Sequence, residues 1–290
     1  MNRSEFLKRF GVLGLGMAGV SVLARTFSAL PLGDKRMPAL FVGHGHPANV
    51  LADNSYTQAL AAMAVSLPVP TAVLVVSAHW LTRGSYVTGA KRPVIIHDFW
   101  NVADDLYDLE YPVAGSPAGA KLAVDMLRMA DGMADMRRGL DHGAWGVLRH
   151  MYPKADVPVF QLSIDRGRPP VEMYQVAKMI TGLRDKGVLI IGSGSITHNP
   201  GEFAEMEDAP IVEWAEEFDA KVANLLLRND HKGIVGYQSW GKIAKHAHPS
   251  DDHFLPLIYS IGVQGEEEEV SFFHEGFQYG SISMRCVKFG

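Results

Sequence analysis

A single cysteine, Cys286, in 290 residues excludes an intrachain disulfide and any metal site built on several thiolates. There is no basic excess either. Lys and Arg number 27 against 32 Asp and Glu, a formal net charge of −5, and no stripe of cations offers the clustered positive charge that phosphate binding needs. A nucleic-acid partner is not expected; a small molecule is. Long apolar runs are also missing: the longest, Gly11 to Ala24, is too short for a comfortable transmembrane helix. There is no nucleophile elbow and no phosphate loop, and "GLGMAG" does not follow a strand as a dinucleotide fingerprint must.

That apolar run belongs to a segment unlike the rest. Arg3, Lys8 and Arg9 precede it, and no charge follows until Arg25, so residues 1–30 resemble an export signal. "NRSEFLK" is similar to the twin-arginine consensus with Ser4 in place of the second arginine. A periplasmic or exported location is expected, the alternative being a cytoplasmic protein with an uncleaved start or short membrane anchor.

From Met37 onward, β-rich runs alternate with helical patterns. "PALFVG", "TAVLVVSAHW", "VPVFQLSI" and "GVLIIGSGS" read as strands. Helices are expected over "YTQALAAMAVSL", capped by Asn54 or Ser55, and over "GSPAGAKLAVDMLRMA", with Ser116 as cap and Pro117 at the first position. Further helices are expected from Pro170 to Lys186, Ala209 to Arg228 and Asp251 to Ile261. "EVSFFHEG" and "SISMRCVKF" alternate like antiparallel edge strands. The pattern is a single α/β domain with a mixed, largely parallel central sheet flanked by helices on both faces. "GSGS" at 192–195 reads as a turn, or less readily as an anion nest.

What the chain has in quantity is histidine, twelve in all. Three strands run into histidine-bearing loops, at His44, His79 and His198, and open α/β sheets carry ligand sites beyond the carboxyl ends of their strands. A lone buried histidine is more often satisfied by backbone, but the same placement three times over points to a site. His253 opens a helix, with His248 five residues before it. His97 in "IIHDFW" and His142 in "DHGAW" stand in polar, aromatic-rich loops without core periodicity, as the walls of an aromatic-binding pocket would. Ser77 with His79 is a competing nucleophile and base pair that leaves the other histidines unexplained.

"MPALFVGHGHPANVL", "VVSAHW", "IIHDF", "LYDLEYPVAGSP", "DHGAWGVL", "QLSID", "GSGSITHN" and "HPSDDHFLPL" occur in an order and spacing that resemble the DOPA 4,5-dioxygenase-like branch of the class III, LigB-type extradiol ring-cleavage dioxygenases. The resemblance spans residues 37–290 and implies one catalytic domain that inserts both atoms of O2 into a catechol, DOPA-like or related, with ring opening. It implies a metal site at His44, His79, His198 and His253, with Fe(II) for activity and Zn(II) able to occupy the same place. His97 and His142 match pocket-lining positions.

Non-haem Fe(II) oxygenases commonly use three facial ligands and leave neighbouring positions open. Four candidate ligands exceed that number, so His198 is read as at least partly an acid/base group, with His142 sharing the task or orienting substrate. Asp251, Asp252 and Glu202 are nearby carboxylates without a clear role. His46 departs from the family's small residue at that position. The strand ends at Gly43, and Gly45 and Pro47 favour a turn, so His44 is assigned to the metal and His46 to the pocket wall and substrate. Two other readings remain: a zinc hydrolase using metal-bound hydroxide, and a non-catalytic binding protein.

Overall fold

Strands that are apolar from end to end need cover on both faces. The computed structural model of the chain, which describes residues 36–100 and 102–290, supplies it. The leader-like stretch 1–30 lies outside the described residues. Six strands form the main sheet: β1 (Ala39–Gly43), β2 (Ala72–Ser77), β3 (Val159–Gln161), β4 (Val188–Gly194), β5 (Val270–His274) and β6 (Cys286–Phe289), in the order β3-β2-β4-β1-β6-β5. The first four in that order are parallel, and β6 and β5 join antiparallel. The expected mixed, largely parallel sheet is therefore present.

Alternate residues of each strand enter different cores. Phe41, Leu74 and Ile190 face one side with Leu122, Val176, Phe218 and Ile258. These come from α2 (Pro117–Met126), α4 (Pro170–Met179), α5 (Glu213–Leu227) and α6 (Leu255–Gly262). Leu40, Val73 and Ile191 face the other side with Tyr56, Leu60, Trp145 and Leu148, from α1 (Ser55–Ser66) and α3 (His142–Met151). Asn54 caps α1: its side chain accepts from Thr57 N at 3.0 Å while Thr57 Oγ1 accepts from Asn54 N. Ser116 caps α2, with Pro117 at its first position. No helix among the described residues is long and apolar enough to cross a membrane.

Several boundaries differ from the sequence expectation. α4 ends at Met179 and a 3-10 stretch, Thr181–Lys186, follows. That turn is held by buried Arg184, which donates to Met37 O, Val263 O and Glu268. α5 starts at Glu213 because Pro210 disfavours helical geometry before it and Val212 N is engaged by Gly280 O. Residues 251–254 are turns leading into α6. "VPVFQLSI" is broken, since Ile164–Asp165 leaves the main sheet to pair with Leu81–Thr82. "SISMRCVKF" supplies β6, which lies inside the sheet between β1 and β5 and not at its edge.

Two corrections bear on the site. "DHGAW" is not a loop: His142 opens α3, whose cap is the Asp141 side chain accepting from Ala144 N at 3.2 Å. "GSGS" is neither turn nor nest, because Gly192, Ser193 and Gly194 belong to β4. The glycines are there because α6 and the turn before it cross directly over the strand. A Cβ on Gly194 would lie 2.1 Å from His253 O, and one on Gly192 2.4 Å from Pro256 O. Gly194→Ala must therefore push His253 away from the sheet. The expected result is a loss of about 1–3 kcal/mol in unfolding free energy with weakened metal retention, read by calorimetry and metal analysis.

Candidate metal centre

The histidine-bearing strand ends converge. His44, His79 and His198 leave β1, β2 and β4, three neighbouring strands, and His253 arrives from the turn before α6. Ring centroids of His44 and His79 are 5.1 Å apart, and His253 lies 5.2 Å from the first and 5.1 Å from the second. His142 is 4.1 Å from His79 and 5.6 Å from His44. His198 stacks on His253 at 3.5 Å with 10° between the planes. His44, His79, His142, His198 and His253 all line one cavity of about 200 Å3, with Phe99, Trp100 and Phe203 among its aromatic walls.

Hydrogen bonding determines which nitrogens carry protons. Ser193 Oγ donates to Gly143 O at 2.6 Å, so its hydrogen is committed and it accepts from His44 Nδ1 at 2.9 Å. His44 Nε2 is then a lone pair. It faces His79 Nε2 at 3.2 Å. His79 Nδ1 lies 3.4 Å from Asp98 Oδ2, and a carboxylate only accepts, so the His79 proton belongs on Nδ1 and its Nε2 is also a lone pair. Two lone pairs at that distance repel unless a cation lies between them. Two imidazole nitrogens sharing one ion, each about 2.0–2.1 Å from it, stand about 3.0–3.4 Å apart. Nitrogen atoms of His44, His79 and His142 fall within 4.8 Å of one another, as do ligand atoms of His198, Asp252 and His253. The donor set fits a divalent metal.

Electrostatics agree. Burial, then the neighbouring imidazoles His79 and His253, pushes His44 well below the ordinary histidine pKa. Burial and His142 bring His79 down to about 4, and burial brings His198 to about 4. Burial, with His198 next, holds His253 well below the ordinary histidine value. All four are neutral near pH 7, as metal ligands must be. Burial works to raise the Asp98 pKa, but hydrogen bonds from His142 and the nearby His79 outweigh it and hold the carboxyl at about 2.

A family model for the catalytic LigB subunit of aromatic ring-opening dioxygenase matches residues 41–290. The chain belongs to the LigB family. Among its relatives, the 4,5-DOPA dioxygenase extradiol of Escherichia coli K12 is 40% identical over 265 residues, covering 89% of this chain and 97% of that protein. The enzyme of the same name from Portulaca grandiflora is 34% identical, covering 87% and 95%. A solved structure of an uncharacterised E. coli K12 protein superposes with a TM-score of 0.77 at 37% identity, covering 88% of this chain and all of that one. This LigB chain is thus a metal-dependent, extradiol ring-cleaving dioxygenase that takes a small-molecule substrate and O2, and neither the hydrolase nor the binding-protein reading is favoured.

Within this LigB domain, His46 lines the same cavity but is engaged in a local cap rather than in the close contacts of the imidazole cluster. Gly45 has φ +63°, and His46 Nδ1 accepts from Ala48 N at 3.2 Å, capping Pro47–Val50, while its ring meets Tyr279. His97 is not brought to the cavity: its ring packs among Phe99, Tyr107 and Trp145 and lines the adjacent cleft of about 950 Å3. His248 is a core histidine held through Nε2, 2.7 Å from Ile196 O. Ser77 Oγ accepts from the His79 backbone N–H rather than meeting its ring, which leaves the nucleophile reading without geometry. Glu202 pairs with Trp214 and His246, and Asp251 with Gln238; of the three carboxylates considered, Asp252 alone approaches the site, 3.5 Å from His253 Nδ1.

Sequence reasoning missed Asp98 and Ser193. The former sits inside the quoted "IIHDF", where the aspartate next to His97 was the available signal. Ser193, in a stretch read as a turn, carried none.

His44→Ala is expected to abolish stoichiometric metal binding. His46→Ser, which keeps a capping side chain, is expected to retain it, both by metal analysis of the purified proteins. The pH dependence also has a definite sign. Above about pH 6.5 these histidines are neutral folded or unfolded. Between that value and about 4 the unfolded chain takes up protons that the folded chain refuses, so metal-free stability falls as pH drops through this window. Calorimetric midpoints should decline between pH 7 and 5, less steeply in His198→Gln.

Proposed function

We propose that this chain opens the ring of a catechol by the extradiol route with Fe(II) as its working metal, held by His44, His79 and His253 with His198 beside them. The single observation that supports the metal assignment is the 3.2 Å approach of His44 Nε2 and His79 Nε2, with Ser193 and Asp98 drawing the ring hydrogens to the opposite nitrogens. Iron would supply what zinc cannot, redox chemistry between a catecholate and O2; Zn(II) in the same imidazoles would give a resting form.

The protein's own groups do the rest. His142 donates Nδ1–H to Asp98 Oδ1 at 3.1 Å, leaving a basic Nε2 to take a hydroxyl proton from the catechol and later return it. His198, stacked on His253 and with Nδ1 lacking a hydrogen-bond partner, is the second acid/base group. Phe99, Trp100 and Phe203 offer faces to the ring. The cavity, about 200 Å3, is smaller than the ~300–1,000 Å3 of drug-sized pockets and suits one aromatic ring with a short substituent. DOPA, on which the named relatives act, is within that class. His46 meets the substituent at the wall, and His97 acts behind Phe99 and not on the ring itself.

Protein loaded anaerobically with Fe(II), then given air and a catechol panel including DOPA, should consume O2 and form a coloured ring-opened product. His142→Ala should lower kcat by about 10²–10⁴ while retaining iron. Fe(II)-loaded protein that turns over no member of the panel would refute the substrate class.

A further inference from the structure

Asp98 stands on the outer side of two rings at once. Its Oδ1 accepts from the backbone N–H of His142 at 2.8 Å and from the same residue's Nδ1 at 3.1 Å. Its Oδ2 lies 3.4 Å from His79 Nδ1. One backbone N–H and two ring nitrogens, from two histidines carried by different elements, thus converge on one carboxylate that lines the metal cavity.

From this we infer that Asp98 is a positioning residue that sets the tautomer of both His79 and His142, so that one carboxylate makes the first ring a metal ligand and the second a base. The inference rests on the ligand and acid/base roles proposed above.

The chemistry follows from acceptor count. An ionised carboxylate offers lone pairs on both oxygens and no hydrogen, so each neutral ring must place its hydrogen on Nδ1 and its lone pair on Nε2. Ligating histidines commonly have such an outer partner, which orients the ring and raises its basicity. Here the partner is shared with a ring of a different role. An amide in its place offers one acceptor and one donor. In Asp98→Asn the oxygen stays with His142, where two N–H groups demand it. The amide N–H₂ is left facing His79 Nδ1, which must become the lone pair and move its hydrogen to Nε2. His79 then cannot ligate without breaking that arrangement.

The test uses the full chain, with Zn(II) as probe by competition titration and ring 15N–1H spectra of the metal-free protein assigned through His79→Ala and His142→Ala. The wild type should show both rings protonated at Nδ1. Asp98→Asn should move His79 to the Nε2-protonated pattern, leave His142 unchanged and weaken Zn(II) binding by about 10–100-fold. Asp98→Glu, which restores the carboxylate, should recover part of the loss and so separates positioning from misfolding. His142→Ala should keep wild-type zinc affinity, because Asp98 remains beside His79. Unchanged spectra and affinity in Asp98→Asn would overturn the inference. Loss of zinc in His142→Ala, with the spectral change in Asp98→Asn intact, would overturn the division into ligand and base instead.

Discussion

The 3.2 Å approach of His44 Nε2 and His79 Nε2 is the constraint on which the rest of the centre depends. His44 cannot turn a proton inward, because Ser193 has already given its hydroxyl hydrogen to Gly143 O; His79 cannot, because Asp98 stands behind it. The contact is unfavourable without a cation and favourable with one. Only a stiff frame tolerates it. β1 and β2 are separated by β4 alone, so the two loops leave the sheet about 10 Å apart, within reach of two rings extended toward each other. Ser193 lies on the strand between them and braces one of the pair.

The remaining groups follow from the need to keep several imidazoles neutral and fixed. Burial lowers their proton affinity, and carboxylates on the outer sides, Asp98 and Asp252, stand beside ring nitrogens without entering the inner contact. The close passage of α6 over β4, possible only because Gly192 and Gly194 lack side chains, brings His253 to the same point. The wall of the cavity is made by aromatic rings and by a His46 whose acceptor nitrogen is occupied by a helix cap.

The fold class was legible because β1, β2 and β4 are apolar throughout and separated by capped helical patterns such as that after Asn54. The helix at His142 was hidden by Gly143 and Gly146, which lower helix propensity, and by the fact that its apolar face includes the histidine that serves the site. The break after Gln161 was hidden too, since continuous apolar character says nothing about a strand changing sheets. Among the histidines, the placements after strands were readable at His44, His79 and His198. His97 and His248 could not be told from site residues, because type and neighbours do not reveal whether a ring packs on Trp145 or bonds to a core carbonyl.

By itself, then, the sequence determined the class of fold, the absence of a multi-thiolate metal site and the strand ends that carry histidine, because these depend on local periodicity and on residue type, while the family followed from the resemblance of its motifs. Tertiary structure decided the place of His142 beside His79, the exclusion of His97 from the cavity and the position of Asp98 against both His79 and His142. Those depend on atoms 44 to 149 positions apart in the chain meeting within hydrogen-bond distance, and no local pattern encodes the direction from which a ring is approached.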